Sequence, residues 1–537
     1  MTRDRRRAVI PALAGLAVST CLLPVATGPA WGAPPGGAPQ AVDLCRATGS
    51  NRDLNGDGYD DAVVGDPYAT VNGKAEAGAV VVLYGDGDGR IGEGRRSVLT
   101  QASVPGSNVE AGDRFGWSVA VDDGTADGCA DILVGSPGED WSGHRDAGLV
   151  HLISFTPDGA GGPGTPTALV ADQGEVAGTV EAGDQFGHAV ALSSYRGSDE
   201  VRGAVGAPGE DLRGLADAGV VNTFSHLTSP SRAEQHEQGR LGSSWLPGTA
   251  EAGDRFGASV LVAPLQVTSG GDTAVEPSVL AGAPGDRVDR PGSTTGARGG
   301  SVTTWDPITS FQQVITQDSP GAPGSAEDGD QFGYSLAFSD DRGDVSAVQE
   351  VVVGVPGEDV GQRREAGAVT LFGDVTGSGL QGRLTLTQNS AGFAGSAEAG
   401  DRFGHAVALR PGPGVQALLV VGSPGEDLGR VADAGMVQTA ALDDGAVVVR
   451  PVRSYTENSA GTPGRVLVGS RFGTTVAAMQ GTAETVFTVS SPHQGTGSVF
   501  VVDADGATRT WVPGSRGIPA LPGGRFGWSV SGLGSQS

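Results

Sequence analysis

The chain has 537 residues, with 91 Gly, 32 Pro and only 5% aromatics, yet its apolar residues fall in short Val/Leu/Ala runs between turn residues. That is the pattern of many short strands, not of a low-complexity polymer. A formal net charge of −27 at pH 7 argues against nucleic acid or an anionic membrane as partner, and it suits divalent cations.

Residues 1–33 open with RDRRR, continue with AVIPALAGLAVSTCLLPVA and break at GPAWGAPP. A charged start, an apolar middle and a small-residue end describe a secretory signal peptide, with Ala30 or Ala33 the last residue removed. Arg6 and Arg7 also loosely match a twin-arginine signal, and Thr20 makes a poor lipobox of the segment before Cys21. A short Pro/Gly-rich linker follows at 34–42. Cleavage leaves Cys45 and Cys129, an even pair that suggests one disulfide in an exported chain, a free pair being the other reading. With no second hydrophobic span and no sorting tail after GWSVSGLGSQS, the expectation is a secreted, extracellular monomer with no membrane insertion.

The stretch DLNGDGYDD comes next. Asp53, Asn55 and Asp57 stand first, third and fifth, Gly58 sixth, Tyr59 seventh and Asp61 ninth, at the start of an apolar run. Calcium takes six to eight oxygen ligands, and alternating side chains of a tight acidic loop plus one backbone carbonyl supply them well. Three carboxylates brought together without a cation would repel one another, so the loop is expected to bind Ca2+. DGTADGCAD sets Asp123, Thr125, Asp127 and Asp131 on the same positions, with Cys129 seventh, and predicts a second, weaker site. The corresponding stretches beginning at residues 193 and 340 break the spacing.

From residue 62 onward two phrases alternate. AVVGDP at 62 returns as ILVGSPGED at 132, AVGAPGED at 204, VLAGAPGD at 279, VVVGVPGED at 351, LLVVGSPGED at 418 and a degenerate FTVSSP at 487. EAGDRFGWSV at 110 returns at 181, 251, 327 and 398, with weaker copies at 468 and 522, so that a Phe-Gly pair begins at Phe115, Phe186, Phe256, Phe332, Phe403, Phe472 and Phe526. An AG-apolar run such as AGAVVVLYG at 77, and usually a further short run such as SVLTQ at 97, complete each unit. Each unit thus offers about four short strands, and four-stranded sheets repeated radially make a β-propeller. The fold expected is all-β, a seven-bladed propeller over residues 43–537. The first unit lacks a Phe-Gly phrase before it and the last lacks a second phrase after it, so residues 526–531 are expected to pair with the strand near 62–65 and close the ring.

These in-register phrases, with a D-x-N-x-D-G-x-x-D loop, make the chain resemble the FG-GAP repeat proteins, among them the N-terminal propellers of integrin α subunits. The resemblance implies a seven-bladed propeller, calcium in some loops, and extracellular binding or adhesion. It departs from integrins in lacking stalk domains and a membrane helix, and from the related glycosylphosphatidylinositol phospholipase in lacking an attached catalytic domain.

No catalytic residue stands out. Asp113, Asp184, Asp254, Asp330 and Asp401, and Glu139, Glu210, Glu358 and Glu426, recur once per unit, which fits turns or inter-blade bonds better than a single active centre. There is no G-x-S-x-G elbow, and the seven histidines show no metal-ligand spacing. The chain is therefore expected not to be an enzyme, the rival being an exported hydrolase or lyase with its site at the central channel. Two residues past each Phe stands a varied side chain, Trp117, His188, Ala258, Tyr334, His405, Thr474 or Trp528. Strand alternation puts these toward the neighbouring blade, and their aromatics could otherwise form a sugar platform. Apparent insertions at 232–245 and 286–300, the latter with Arg287, Arg290 and Arg298, are further candidates, whereas Arg342-Gly343-Asp344 is a chance triplet. The partner expected is an extracellular protein or glycan.

Overall fold

The computed structural model describes residues 52–531 apart from short stretches, the longest being 157–165, 194–202 and 339–348. The signal peptide, the linker, Cys45, Arg290, Arg342–Asp344 and most of the loops after residues 193 and 340 lie outside the described residues. Seven antiparallel sheets form a ring, so the expected all-β seven-bladed propeller is the fold. The first blade runs, from inside outward, Ser529–Val530, Ala62–Asp66, Ala79–Leu83 and Arg96–Leu99. The second runs Ser118–Asp122, Asp131–Ser136, Leu149–Phe155 and Pro166–Ala171. The other innermost strands are Ala189–Leu192, Ser259–Ser269, Ser335–Phe338, Ala406–Gly412 and Val476–Ala478. The supposed insertion at 232–245 belongs to the third blade, where Ala233–Glu237 is the fourth strand and Arg240–Leu241 a short fifth.

The middle strands are buried on both faces, as in AVVGD at 62 and AVVVL at 79, because each sheet is sandwiched between its neighbours. They therefore read as continuous apolar runs, whereas outer strands such as RSVL at 96 and QQVI at 312 are only partly covered. The core lies between blades. Phe115 packs with Val63, Val80 and Val82 of the first blade and with Val119, Ile132 and Val134 of the second, and all seven repeat Phe are buried. Each contributes about 1.5–3 kcal/mol of burial.

Backbone contacts tie the blades together. Phe115 N–H donates to Ala77 C=O at 3.1 Å, laying the Phe-Gly turn of one blade on the AG turn of the one before, and the same bond recurs at Phe186, Phe256, Phe332, Phe403, Phe472 and Phe526. Beside it, Ser118 Oγ donates to Gly187 O at 2.8 Å, Ser259 to Gly333, Ser335 to Gly404 and Ser529 to Gly116. The last of these belongs to the seam, where Val64 pairs with Val530 and Gly65 with Ser529, as the phrase order predicts.

Glycine is required where these contacts are closest. A Cβ on Gly135 would lie 1.9 Å from Gly187 O of the next blade, while one on Gly143 would meet nothing within 4 Å, although φ there is +87°. Gly135→Ala is expected to cost about 3 kcal/mol or more by wedging two blades apart, against about 1–2 kcal/mol for the strained backbone of Gly143→Ala, as thermal or denaturant unfolding would measure. Equal losses would show that the close approach is not limiting.

Candidate binding site at the mouth of the ring

The Phe-Gly turns build one rim of the ring's axis. Arg114 has φ +57° and Gly116 φ +88°. Trp117 N–H donates to Arg114 C=O at 3.0 Å, and the strand begins only at Ser118. The residue two past the Phe therefore sits in a turn, and the strand alternation expected to turn it toward the neighbouring blade's core does not apply. Phe115 is buried, while Trp117, His188, Ala258, Tyr334, His405, Thr474 and Trp528 are all half-buried around the mouth. Their contacts do cross from blade to blade, but ring to ring at the rim. Trp117 lies 5.0 Å from Trp528 and 5.6 Å from His188, and Tyr334 lies 4.9 Å from His405.

Two groups missed at the sequence level complete the rim. Tyr68 sits 5.0 Å from Trp528, and His493 5.9 Å from it. The arginines that precede the Phe stack on these rings, Arg525 4.5 Å over Tyr68 and 5.9 Å over Trp528, Arg114 5.7 Å over Trp117. The signal was in the repeat: the position before Phe is Arg in five units and Gln in two. A cavity of about 510 Å³ opens here, lined by the varied residues of four consecutive blades, Tyr334, His405, Thr474 and Trp528. Arg402, Arg471, Arg525, His493 and Asp433 also line it. Burial, helped by neighbouring arginines, pushes His405 down to about 3 and His493 to about 4, so both are neutral at pH 7.

The recurrent carboxylates hold turns and blade junctions, as their once-per-unit spacing suggests. Asp113 accepts from Glu110 N–H at 2.6 Å, and Glu139 accepts from Gln101 Nε2 across the first blade junction at 2.5 Å. Gln173–Glu210, Gln317–Glu358 and Gln388–Glu426 repeat the second bond at 2.6 Å. The cations of the segment 286–300 are likewise used in the scaffold. Arg287 pairs with Glu251 at 3.2 Å, and Arg298 donates to Gly285 O and Ala252 O.

The predicted calcium loops lie elsewhere. The loop 123–131 joins the far end of Ser118–Asp122 to the next strand, at the opposite end of the inner strand from the Phe-Gly turn. In the first loop Asp53 accepts from Gly56 N–H at 2.6 Å and Gly58 N–H at 2.8 Å, and Asp61 from Leu54 and Gly85 N–H at 2.8 and 2.9 Å. Asn55 Nδ2 donates to Asp57 Oδ2, and Tyr59 N–H to Asp57 Oδ1. Burial raises the Asp53 carboxyl and pushes Asp61 well above the usual range, each helped by the like charge of Asp57. In the second loop Gly128 N–H donates to Asp123, Cys129 N–H to Asp127 and Thr125 N–H to Asp131. Asp131 Oδ1 and Thr125 Oγ1 are buried, and the Ser154 and Thr125 side chains lie against the Asp131 carboxylate, whose pKa burial pushes up to about 7. Cys129 is disulfide-bonded. The donor chemistry, oxygens only with mutually repelling buried carboxylates, fits calcium. Among the described residues, however, no three His, Cys, Asp or Glu side chains gather closely enough to hold a metal ion, so neither loop is drawn shut around a common centre.

A model of the FG-GAP repeat matches residues 47–83 and 115–153, so the chain carries FG-GAP repeats. Integrin alpha pat-2 of Caenorhabditis elegans is 41% identical over 87 residues, 16% of this chain and 6% of that protein. Phosphatidylinositol-glycan-specific phospholipase D of Dictyostelium discoideum is 26% identical over 110 residues, 19% of this chain and 11% of that one. This FG-GAP chain thus spans only a small part of either relative's length. Among solved structures, the periplasmic gluconolactonase of Pseudomonas aeruginosa aligns with a TM-score of 0.42 and 14% identity over 87% of this chain and 98% of its own. The expectation that the chain is not an enzyme is corrected by this finding. A likeness at this level assigns no reaction to the present protein.

Burial lifts Glu139 from an ordinary 4.5 to about 8, with nearby Asp113 adding to the shift. The folded protein holds a proton there that the unfolded chain releases, so this contribution to stability is full below about 4.5 and is lost as pH rises through 8. Glu139→Gln removes the titration, and its melting temperature relative to the parent is expected to climb steadily between pH 5 and pH 8. A pH-independent difference in calorimetric melts would mean that Glu139 is ionised in the fold.

Proposed function

We propose that this FG-GAP propeller is an exported binding protein that holds an extracellular protein or glycan at the mouth of its ring, with calcium stiffening the opposite end. The observation that supports this reading is a split within a single turn. The Phe is the same in all seven units and buried, whereas the residue two past it varies and is half-exposed on the rim. What a repeat stamps into every blade serves the scaffold, and what it varies at an accessible rim makes an asymmetric surface on which one ligand can be told from another.

Export rests on the pattern of residues 1–33, and no helix among the described residues is long and apolar enough to cross a membrane. The net charge of −27 disfavours nucleic acid, and the protein is taken as a monomer. Asp53, Asn55, Asp57, the Tyr59 carbonyl and Asp61 would hold one Ca2+, and Asp123, Thr125, Asp127, the Cys129 carbonyl and Asp131 a second. The ion would neutralise like charges and pin a loop, away from the ligand.

Retention of the mature protein on cell-wall polysaccharides, host glycans and extracellular proteins tests the reading, with parent and Tyr334→Ala compared in calcium and in chelator. One ligand class is expected to be retained and to lose about tenfold in affinity with Tyr334→Ala. Chelator is expected to lower the melting temperature by about 5 °C, a shift that Asp53→Asn with Asp61→Asn abolishes. No retention, or retention indifferent to Tyr334, would sink the proposal and direct the same panel to assays of hydrolysis. An unchanged melt in chelator would remove calcium from it.

A further inference from the structure

We infer that the cavity at the mouth takes a carboxylate-bearing sugar, a uronic acid residue of an acidic oligosaccharide. This rests on reading the mouth as the binding face. An aromatic rim suits a cation in general, but here the chain's own arginines already lie against these rings. The Arg525 guanidinium lies over both Tyr68 and Trp528, and Arg114 over Tyr68 and Trp117. An incoming cation would meet like charge beside each of these rings, which leaves the other ring face to an uncharged or anionic ligand.

The charge of the cavity points the same way. Arg402, Arg471 and Arg525 line it against one carboxylate, Asp433, in a protein whose formal net charge is −27. The fold explains the excess. In five units the Phe-Gly turn docks on the residue before an AG turn, through Arg114 N–H to Glu76 O, Gln185 to Asp146, Arg255 to Asp217, Arg402 to Glu365 and Arg471 to Asp433. The arginine and the acid can then pair, as Arg402 and Glu365 do at 2.7 Å. In the seventh unit Phe526 docks on Thr496 and the position before it is Gly495, so the turn supplies no acid to the Arg525 side chain; the Arg525 N–H donates to the Asp66 carboxylate at 2.6 Å, and its guanidinium lies 3.4 Å from His493 Nδ1. The indole N–H of Trp528 is a further donor, buried with no partner among the described residues. His405 and His493 stay neutral and add no charge of their own.

Donors surround the cavity, so the ligand should bring acceptors and negative charge. The aromatic lining favours a sugar over an acidic peptide. A concavity of about 510 Å³ with Tyr334 and Trp528 on its wall suits one to three pyranose rings, whose apolar C–H faces lie against aromatic rings.

Isothermal titration with tri-galacturonate, a neutral galactose trisaccharide and hexaglutamate tests the inference. The parent is expected to bind tri-galacturonate about tenfold or more tighter than either of the others. Arg471→Gln and Arg525→Gln should each weaken it about fivefold without moving the melting temperature, because Gln occupies the same repeat position at 185 and 331. Asp433→Asn should tighten it about threefold, a gain that no folding defect can imitate. Absence of tri-galacturonate binding, equal binding of the neutral sugar or of hexaglutamate, or indifference to the arginine substitutions would each overturn it. If tri-galacturonate fails while another ligand is still lost with Tyr334→Ala, only the acidic-sugar chemistry falls. If both fail, the mouth itself is not the site.

Discussion

Everything in this ring hangs on a backbone approach that leaves no room for a side chain. Gly65 of the first blade faces Gly116 of the second so closely that a Cβ would lie 2.1 Å from the Gly116 carbonyl, and Gly135 faces Gly187 in the same way. The Phe-Gly turn is held against its neighbour by the N–H of its Phe, and the Phe ring fills the wedge between the sheets. Glycine, amide and ring thus act as one device at six junctions, and at the seventh Ser490 stands opposite Gly527. The chain's two ends are joined within the first blade, where Gly527 N–H donates to Gly65 C=O at 3.0 Å.

That device also decides where variation can be placed. Its turn needs positive φ at Gly116 and at the residue before Phe115, and it swings Trp117 out of the core and onto the rim. A substitution at the Phe would open a blade junction, whereas one two residues later changes only the surface around the axis. The varied position and the invariant one are therefore two residues apart in each unit.

The electrostatics divide along the same line. Buried carboxylates such as Glu139 and Glu426, held by Gln101 and Gln388, have raised pKa values and carry less negative charge at neutral pH than an exposed acid would. At the mouth, arginines gather on aromatic faces beside neutral histidines, giving an acidic molecule a small basic concavity. The field of such a concavity is screened beyond about one Debye length, so it acts only close to the rim.

The sequence by itself determined the architecture. The Phe-Gly phrase recurs in register seven times, the apolar runs have strand length, and the missing Phe-Gly phrase at the start matches the surplus one at the end, so blade number and the Val64–Val530 seam were both legible. It also marked the two acidic loops, because the spacing of their residues is local. Only the tertiary structure decided what lies around the axis. Trp117 was assigned to a strand because alternation assumes extended backbone, and a turn containing positive φ breaks it. Arg402, Arg471, Arg525, Tyr334 and His493 come from four blades and meet only when the ring closes. No spacing along the chain encodes that meeting, since the distance between these residues is set by the curvature of the packed sheets.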